Sequence, residues 1–346
     1  MSDQPPQPLS RRKKFTFSLV TVVGLAVGLL LFCEIVLRLM GERVLWTEPV
    51  NVVVEPGGSL FATHPRLGYT HRPGAYRVTV RDSLVFTLTQ RADGLRITRP
   101  LATPPVPGAP QLWMLGGSFT YGWTLDDPET YPWRLQERLP AYDVVNFGVN
   151  GYGTIHALVQ VEEALAQGRP PAAVVVAYGS FHDERNTFLR LRRKAVFLWN
   201  RLGDFRQPYA RLAADGTVEI HLAEVVYREF PLTRQSVFMH ALERLYNRIE
   251  ERLYDSHAVS QALILALAER CRAHGIPLVV AGIYDDALTA NMLNFCRQHG
   301  ILAVDIAVDL SLSQHNQMPY DGHPNALANE QYAAKLHTFL REQRLD

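Results

Sequence analysis

A serine, a histidine and an aspartate in this sequence have the types and local settings that nucleophilic chemistry requires. Ser118 follows an apolar run, residues 112–115, and two glycines, so it is predicted to lie where a buried strand enters a turn. His323 and Asp321 stand just before residues 326–341, a run that predicts a C-terminal helix. A serine hydroxyl needs a base within hydrogen-bond reach and a third group that fixes the tautomer of the base. The three residues therefore predict a catalytic triad at one edge of a sheet.

Ser118 and His323 each also have an ordinary structural explanation. Serine is a good N-cap residue, so Ser118 taken alone is equally consistent with a helix cap. A lone His-Pro pair before a helix, such as His323-Pro324, usually has no catalytic role. The adjacent Asp321 and the glycine-rich strand exit upstream favour the catalytic interpretation.

Four blocks of the chain, in this order, resemble the SGNH, or GDSL-like, hydrolase family over residues 110–346. They are Gly116-Gly117-Ser118 with Gly122, the run NFGVNGYG at 146–153, the apolar run 174–178 ending at Gly179, and Asp321-Gly322-His323. The resemblance implies an esterase that uses Ser118, His323 and Asp321 and needs no cofactor. It also implies that the oxyanion of the reaction is bound by the N–H groups of Ser118 and Gly151.

The third block departs from the family pattern. Gly179 is followed by Ser180 and Phe181, so no Asn stands at the usual place of the third oxyanion donor. Asn186 and His182 are the candidates for this role, and Asn186 is preferred because an amide donates independently of pH. Asn186 is also explained as a loop cap. The run from His182 lacks a second histidine at ligand spacing, so no metal site is predicted.

Two further positions differ from the family. Gly117 stands where the family more often has Asp, and Tyr320 stands at the usual Asp position, three residues before the histidine. Asp321, two residues before His323, is therefore the candidate for the orienting carboxylate.

Strands and helices alternate through the catalytic region, which is typical of parallel strands with helical crossovers. Apolar runs predict strands at 112–115, 143–147, 173–178, 277–283 and 301–304. Apolar residues at intervals of three or four predict helices at 131–139, 154–167, 260–274 and 287–299. Near-continuous apolar strands indicate that both sheet faces are covered. The predicted fold is a three-layer α/β/α sandwich with a parallel sheet, as in SGNH hydrolases.

One insertion, residues 183–256, interrupts this alternation and is predicted to form a cap over the active site. Its first half is rich in arginine, and a helix is predicted at 238–254. Guanidinium groups bind acidic glycans and phospholipid headgroups well. A solvated face or a face near anionic lipid explains the same residues, and both interpretations remain open.

The N-terminus predicts a retained membrane anchor. Residues 1–14 form a cytoplasmic tail that ends in a basic cluster, and residues 15–40 form a single transmembrane helix. A cleaved signal peptide would have a shorter apolar core. Glu34 and Arg38 lie four residues apart and are predicted to pair where the helix leaves the membrane. The rest of the chain is then extracytoplasmic at the inner membrane, beginning with a β-containing tether, residues 41–109.

Composition excludes several classes of protein. A chain of 346 residues with 47% apolar content can bury one large core. The formal net charge of +1 argues against a nucleic-acid partner. Three cysteines are too few for a disulfide framework, so they are interpreted as packing residues.

Three functions remain consistent with the sequence. The first is a serine esterase that hydrolyses O-acyl esters, including O-acetyl esters, of an extracytoplasmic glycan or lipid. The second is an O-acetyltransferase for a cell-surface polysaccharide that uses the same nucleophile. The third is a catalytically silent binding or assembly protein with the same fold. The sequence does not indicate the oligomeric state of the protein.

Overall fold

A computed structural model describes residues 10–44, 50–168, 170–199, 202–203 and 205–346 of the chain. Two compact units are present, one formed by Met1–Glu48 with Arg228–Ile249 and the other by Pro49–Tyr227 with Glu250–Asp346. Parts of three predicted segments lie outside the described residues. They are residues 1–9 of the tail, 45–49 of the tether, and 200, 201 and 204 of the cap.

The described residues form strands and α-helices with the following bounds. The strands are β1 (Val52–Glu55), β2 (Phe61–His64), β3 (Gly68–His71), β4 (Gly74–Val80), β5 (Leu84–Gln90), β6 (Gln111–Leu115), β7 (Asp143–Asn146), β8 (Ala173–Tyr178), β9 (Arg206–Leu212), β10 (Val218–Glu224), β11 (Leu278–Gly282), β12 (Leu302–Asp305), β13 (Asn316–Gln317) and β14 (Asp321–Pro324). The α-helices are α1 (Arg11–Leu39), α2 (Ser118–Tyr121), α3 (Tyr131–Arg138), α4 (Thr154–Gln167), α5 (Phe181–Thr187), α6 (Arg190–Trp199), α7 (Val237–Tyr254), α8 (Ser256–Ala273), α9 (Ala287–Gln298) and α10 (Ala326–Glu342).

The five predicted strands of the catalytic region form one parallel sheet in the order β12-β11-β8-β6-β7. The next strand along the chain after β6 lies on one side of it, and the following strand, β8, lies on the other side. The winding of the sheet therefore reverses at β6. In open α/β sheets, ligands bind beyond the carboxyl ends of the strands at such a reversal. The residues that directly follow β6 therefore stand where a ligand-binding site is expected.

Alternate residues of β8 enter two hydrophobic cores, one on each face of the sheet. Val174 and Val176 pack with residues of α4, α8 and α9, whereas Val175 and Ala177 pack with residues of α3 and α10. Every residue of β8 is buried, as expected for a parallel strand covered by helices on both faces. The predicted three-layer α/β/α sandwich is confirmed.

The small antiparallel sheet, in the order β1-β4-β5, shares a core with the helix that follows β6. In the β4-β5 hairpin, Tyr76 lies opposite Leu88 and Val80 lies opposite Leu84. Tyr121 of α2 belongs to the same hydrophobic cluster as the inward side chains of this hairpin. These strands lie in the same compact unit as the parallel sheet.

Arg96 is a buried arginine that holds the loop after α2. Its side chain is 0% exposed, and its Nε donates to Asp127 at 2.8 Å. Its two Nη groups donate to the carbonyl oxygens of Tyr121, Gly122 and Leu125 at 2.5–3.0 Å. The planar fork of donors therefore compensates for burial of the charge.

Helix α1 has the length and composition of a membrane span. It is 29 residues long, and none of its hydrophobic window is buried within the structure. At about 1.5 Å per residue it extends about 43 Å, more than the ~30 Å of a hydrocarbon core. The predicted pair of Glu34 and Arg38 is present, with Nε and Oε1 2.6 Å apart.

Helix α1 also caps the start of α7 within the first unit. The Glu34 carboxylate accepts hydrogen bonds from the backbone N–H groups of Val237 and Phe238 at 3.1 and 2.9 Å. It also accepts from the Ser236 hydroxyl at 2.8 Å. A carboxylate at a helix N-terminus satisfies unpaired N–H groups and interacts favourably with the helix dipole.

We expect Arg96→Met to lower the free energy of unfolding by about 3–5 kcal/mol, because Asp127 and three carbonyl oxygens stay buried without their donor. Arg96→Lys should recover only part of the loss, since an ammonium group lacks the planar fork. Arg77→Met, at an exposed position of β4, is the control and should change stability by less than about 0.5 kcal/mol. Denaturant unfolding in detergent measures all three, and equal stabilities of the Arg96 and Arg77 variants would contradict this account.

Candidate active site

Ser118 is the first residue of α2 and stands directly beyond the carboxyl end of β6, with Gly117 as the N-cap residue. The N–H groups at the start of a helix have no acceptor within that helix, so the Ser118 N–H is available to a ligand. The side chain is nearly buried, with 5% of the residue surface exposed. The reversal point of the sheet thus presents one hydroxyl and one backbone donor together.

His323 meets Ser118 from a position 205 residues further along the chain. It lies in β14, which pairs with β13 just before α10, and its Nε2 is 2.8 Å from the Ser118 Oγ. Its Nδ1 makes a short hydrogen bond with Asp321 Oδ1. A carboxylate only accepts, so Nδ1 carries the proton and Nε2 presents its lone pair to the serine hydroxyl. The structure thus brings all three predicted triad residues together.

Asp321 is held by three hydrogen bonds. Besides the His323 ring, it accepts from the His323 backbone N–H at 2.8 Å and from Trp123 Nε1 at 3.3 Å. Burial acts to raise the pKa of Asp321, but the hydrogen bonds and charge of His323 outweigh it, so the pKa lies below the usual value. Asp321 is therefore ionised at neutral pH. Tyr320, at the position of the family Asp, instead accepts a hydrogen bond at its carbonyl from Arg81, at 2.9 Å.

Tyr69, in β3, fixes the peptide that precedes Gly151. Its hydroxyl donates to the carbonyl oxygen of Asn150 at 2.7 Å. In a trans peptide the N–H points opposite to the C=O, so this bond turns the Gly151 N–H away from Tyr69. Gly151 has a φ of 80°, in the left-handed region that glycine enters without a Cβ penalty. The predicted oxyanion N–H therefore has a defined direction.

Two arginines hold the next two carbonyl groups of the same loop. Arg192 Nη2 donates to Gly151 O at 2.7 Å, and Arg185 Nη1 donates to Tyr152 O at 3.0 Å. Sequence reasoning recognised only that this region is rich in arginine. It missed both contacts, and the contact of Tyr69, because they join segments that are remote in sequence. Three consecutive carbonyls, from residue 150 to residue 152, are thus bound by side chains.

Arg185 lies near Gly117, the residue that precedes Ser118. A Cβ on Gly117 would be 2.7 Å from Arg185 Nη1, so a larger residue at 117 would require the guanidinium to shift. Among the described residues, Arg185 has no carboxylate partner, and its Nε is buried without an acceptor. Burial and the neighbouring Arg192 lower its pKa to about 9, which leaves the group charged at neutral pH. The substitution of Gly for the family Asp at 117 is the sequence signal that points to this arginine.

Asn186 and His182 occupy different positions beside this loop. Asn186 is fully buried, and its amide accepts from the Ile155 N–H at 3.0 Å and donates to Ser260 Oγ at 2.8 Å. It thus links the start of α4 to α8. His182 is also buried, and its Nε2 has no partner within the described part of the chain and would be 3.6 Å from a Cβ on Gly117. Burial and nearby arginines place its pKa well below the usual value, so the ring is neutral.

Aromatic rings form an apolar side of the site. Phe119, the residue after Ser118, contacts the His323 ring edge-on at 5.5 Å and the Phe181 ring at 5.2 Å. Phe181 in turn contacts Tyr284 at 5.6 Å. The Arg185 guanidinium lies 4.5 Å from the centre of the Phe181 ring. Aromatic rings therefore contact Phe119, and a positive charge lies near Gly117, the two residues on either side of Ser118.

The chain is similar to a known protein family and to several solved structures. The family model described as GDSL-like Lipase/Acylhydrolase matches residues 114–331, more than half of the chain. Among solved structures, TesA has 15% identity and a TM-score of 0.41, with 67% of this chain and 98% of that chain covered. A GDSL-like lipase from Bacteroides thetaiotaomicron VPI-5482 has 13% identity and a TM-score of 0.38, with 70% and 92% covered. AlinE4, an SGNH-hydrolase family esterase, has 13% identity and a TM-score of 0.34, with 57% and 76% covered. No curated protein matches this chain in sequence.

His156 is a buried neutral histidine that stabilises the start of α4 next to this loop. Its Nδ1 accepts from the Gly153 N–H at 3.1 Å, and its ring stacks on Tyr152 at 4.1 Å. Because Nδ1 accepts, the proton is on Nε2, which donates to Gln207 Oε1 at 3.3 Å. Burial is the main cause that lowers the pKa of His156 to about 3.

The lowered pKa of His156 predicts a loss of stability in acid. Between about pH 6.5 and pH 3 the unfolded chain binds a proton here that the folded chain does not, which costs about 1.4 kcal/mol per pH unit. The contribution of His156 to the free energy of unfolding is therefore fully present above about pH 6.5 and is lost as the pH falls towards about 3. His156→Asn keeps an acceptor for Gly153 and should reduce the slope of the unfolding free energy against pH by about 1.4 kcal/mol per pH unit over this window, while the buried His71 and His182 keep their own contributions. The exposed His274→Asn should leave it unchanged; an unaltered slope in His156→Asn would refute the prediction.

Proposed function

The chain belongs to the GDSL-like lipase/acylhydrolase family of ester-hydrolysing enzymes, and from this premise we propose that it is a serine esterase that hydrolyses O-acyl esters of an extracytoplasmic glycan or lipid. Acetyl is among the acyl groups that fit this proposal. The observation that carries it is the continuous hydrogen-bonded chain from Ser118 through His323 to Asp321.

In the first half of the reaction, the Ser118 Oγ attacks the ester carbonyl carbon. His323 Nε2 takes the hydroxyl proton, and the ionised Asp321 stabilises the resulting imidazolium. The tetrahedral intermediate then collapses, the C–O bond to the alcohol breaks, and His323 returns the proton to the leaving oxygen. The acyl group remains as an ester on Ser118.

In the second half, water replaces the alcohol. His323 removes a proton from the water, the hydroxide oxygen bonds to the acyl carbon, and the bond to Ser118 Oγ breaks as the serine regains its proton. The products are the free acid and the original enzyme. If a sugar hydroxyl instead of water occupies the acceptor position, the same acyl-enzyme transfers its acyl group to that hydroxyl. This reaction is the one expected of the alternative function, an O-acetyltransferase.

The negative charge of both tetrahedral intermediates needs donors that are already in place. The N–H groups of Ser118 and Gly151 supply two of them. We assign the third to Arg185, because its guanidinium touches Gly117 on one side and the Tyr152 carbonyl on the other. Asn186 has its amide committed between Ile155 and Ser260. A buried cation without a carboxylate partner is well suited to a charge that appears during the reaction.

Helix α1 supports the extracytoplasmic location. Its first residues, 11–14, are basic, and basic residues beside a membrane span favour the cytoplasmic side. In a single-pass protein of this orientation, the triad lies outside the cytoplasmic membrane. Esters available there include acylated glycans and lipids. The aromatic side formed by Phe119, Phe181 and Tyr284 suits the apolar part of an acyl group.

We expect a fluorophosphonate probe to label the full-length protein, because the probe reacts with a serine hydroxyl that a base activates. Ser118→Ala should abolish labelling. His323→Ala should lower esterase turnover by about 10,000-fold or more while thermal stability is retained. The exposed His299→Ala is the matched control and should leave both labelling and turnover at the wild-type level.

Product analysis separates the alternatives. Release of free acid in the presence of a sugar acceptor supports the esterase, whereas acylated sugar at the expense of free acid favours the transferase. Wild-type protein that is folded but unlabelled by the probe and without turnover would leave only the silent binding protein.

Arg185→Gln is expected to lower kcat by about 100- to 1,000-fold with little change in KM, because the lost charge acts on the intermediate rather than on the neutral ester. Affinity for a boronic acid, which forms an anionic tetrahedral adduct on the serine, should fall in parallel. Arg272→Gln, on the exposed side of α8, controls for the general loss of a positive charge. A rise in KM at constant kcat, seen only with anionic esters, would instead assign Arg185 to substrate binding.

A further inference from the structure

Helix α7 carries an exposed stripe of apolar residues. Leu242, Leu245, Tyr246 and Ile249 are 38%, 48%, 47% and 49% exposed, respectively. Their spacing of i, i+3, i+4 and i+7 places all four on one face of the helix. Glu243, in contrast, is 2% exposed. A helix of a water-soluble protein normally has the opposite arrangement, so the medium that α7 faces is expected to be apolar.

The start of α7 is attached to the end of the proposed membrane span. Residues 15–33 of α1 cover about 28 Å at about 1.5 Å per residue, which nearly matches a ~30 Å hydrocarbon core. Glu34 is the first acidic residue after this run and lies at the boundary between hydrocarbon and headgroups when the run crosses the core. The same carboxylate caps α7 through Val237 and Phe238. Helix α7 therefore begins at headgroup level.

Two further contacts hold the same two segments together. Arg38 Nη2 donates to the Gln235 carbonyl at 2.9 Å, and Arg244 Nη2 pairs with Glu42 at 2.8 Å. The last of these contacts lies two turns into α7. The first half of α7 is thus connected, at its start and at its end, to the residues of α1 and the following loop that stand where the chain leaves the membrane.

We propose that α7 lies in the interface of the same bilayer that α1 crosses, with its Leu242–Ile249 stripe inserted among the acyl chains near the headgroups. The occupant of this exposed stripe is therefore lipid. An interfacial helix of this kind buries its apolar face about 5–10 Å into the boundary between headgroups and acyl chains. The exposed Arg248 and Arg252 stand four residues apart on one flank of the stripe, where they can bind lipid phosphate groups.

This inference rests on the membrane placement of α1 in the proposed function, but not on the esterase activity. It explains why hydrophobic residues on the predicted cap are exposed. It assigns the second half of the insertion to a lipid surface, and both interpretations of the arginine-rich first half remain open.

Spin labels on the full-length chain measure the depth of α7 directly. The protein carries Cys33→Ala and one added cysteine, at Leu245, and is placed as a single copy in nanodiscs of phosphatidylethanolamine and phosphatidylglycerol. Cys271 and Cys296 are buried, which raises their pKa to about 11 and about 12, so these thiols do not compete for the label. Collision rates with oxygen, which concentrates in lipid, and with a water-soluble nickel complex give the depth.

The label at Leu245→Cys should collide more with oxygen than with nickel, and Ile249→Cys should repeat this result. A label at Leu288→Cys, an equally exposed leucine of α9, should collide more with nickel. A label at Leu25→Cys, within the span, tests the anchor itself. Lipid depth at residue 25 with water-like labels at 245 and 249 would overturn the proposal for α7 alone. A water-like label at 25 would overturn the anchor together with it.

A second copy of the chain is the competing occupant of the stripe. In that case the labels at 245 and 249 would be water-like in one-copy nanodiscs, and strong coupling between two labels would appear in two-copy nanodiscs. That result would overturn the proposal. Because none of these measurements uses turnover, an inactive Ser118→Ala background gives the same depths if the proposal holds.

Discussion

The hydrogen bond between Ser118 and His323 is the contact on which the rest of the site depends. It spans 205 residues of sequence at 2.8 Å, so small errors in the packing of either segment would break it. One partner is fixed by β6, and the other by the pairing of β13 with β14 ahead of α10. Both faces of the sheet are packed with helices, which makes the sheet a rigid frame. The fold thus holds two remote side chains in a geometry that no local segment can specify.

The loop at 149–153 shows how the outlying parts of the chain contribute to that geometry. Its carbonyl groups are bound by Tyr69 from β3, by Arg185 from α5 and by Arg192 from α6. A free loop with glycine at 151 and 153 would sample many conformations, and ordering it has an entropic cost. Contacts from three separate segments offset that cost during folding, so in the proposed mechanism the N–H groups need no reorganisation when charge develops. The small β-containing segment therefore contributes a contact to this loop and also connects α1 to the parallel sheet in sequence.

Periodicity and motif order were sufficient to predict the sheet, its covering helices and the proximity of Ser118, His323 and Asp321. The five strands and the listed helices occur within a few residues of their predicted bounds. Helix α8 begins four residues earlier than predicted, since Asp255 caps it through the Ala258 N–H at 3.1 Å before the apolar period starts. The roles of Tyr69, Arg96 and Arg185 were not predictable, because each acts on a carbonyl group or carboxylate that only the tertiary fold brings near. Local patterns report burial and secondary structure, whereas hydrogen bonds between remote segments leave no periodic signal.

The pairing of Gly117 with Arg185 has a consequence for the electrostatics of the site. An aspartate at 117, as is more usual in the family, would introduce a negative charge next to the guanidinium. Such a carboxylate would pair with Arg185 and cancel most of its field at the nucleophile. Glycine removes that charge and also makes room, because any Cβ at 117 would lie 2.7 Å from Arg185 Nη1. The positive charge is then balanced by no carboxylate among the described residues, so in the proposed mechanism its desolvation is offset most strongly when an anion forms beside Ser118. In the proposed mechanism, a glycine at 117 beside a buried arginine therefore directs electrostatic stabilisation to the charged intermediate and not to the resting enzyme.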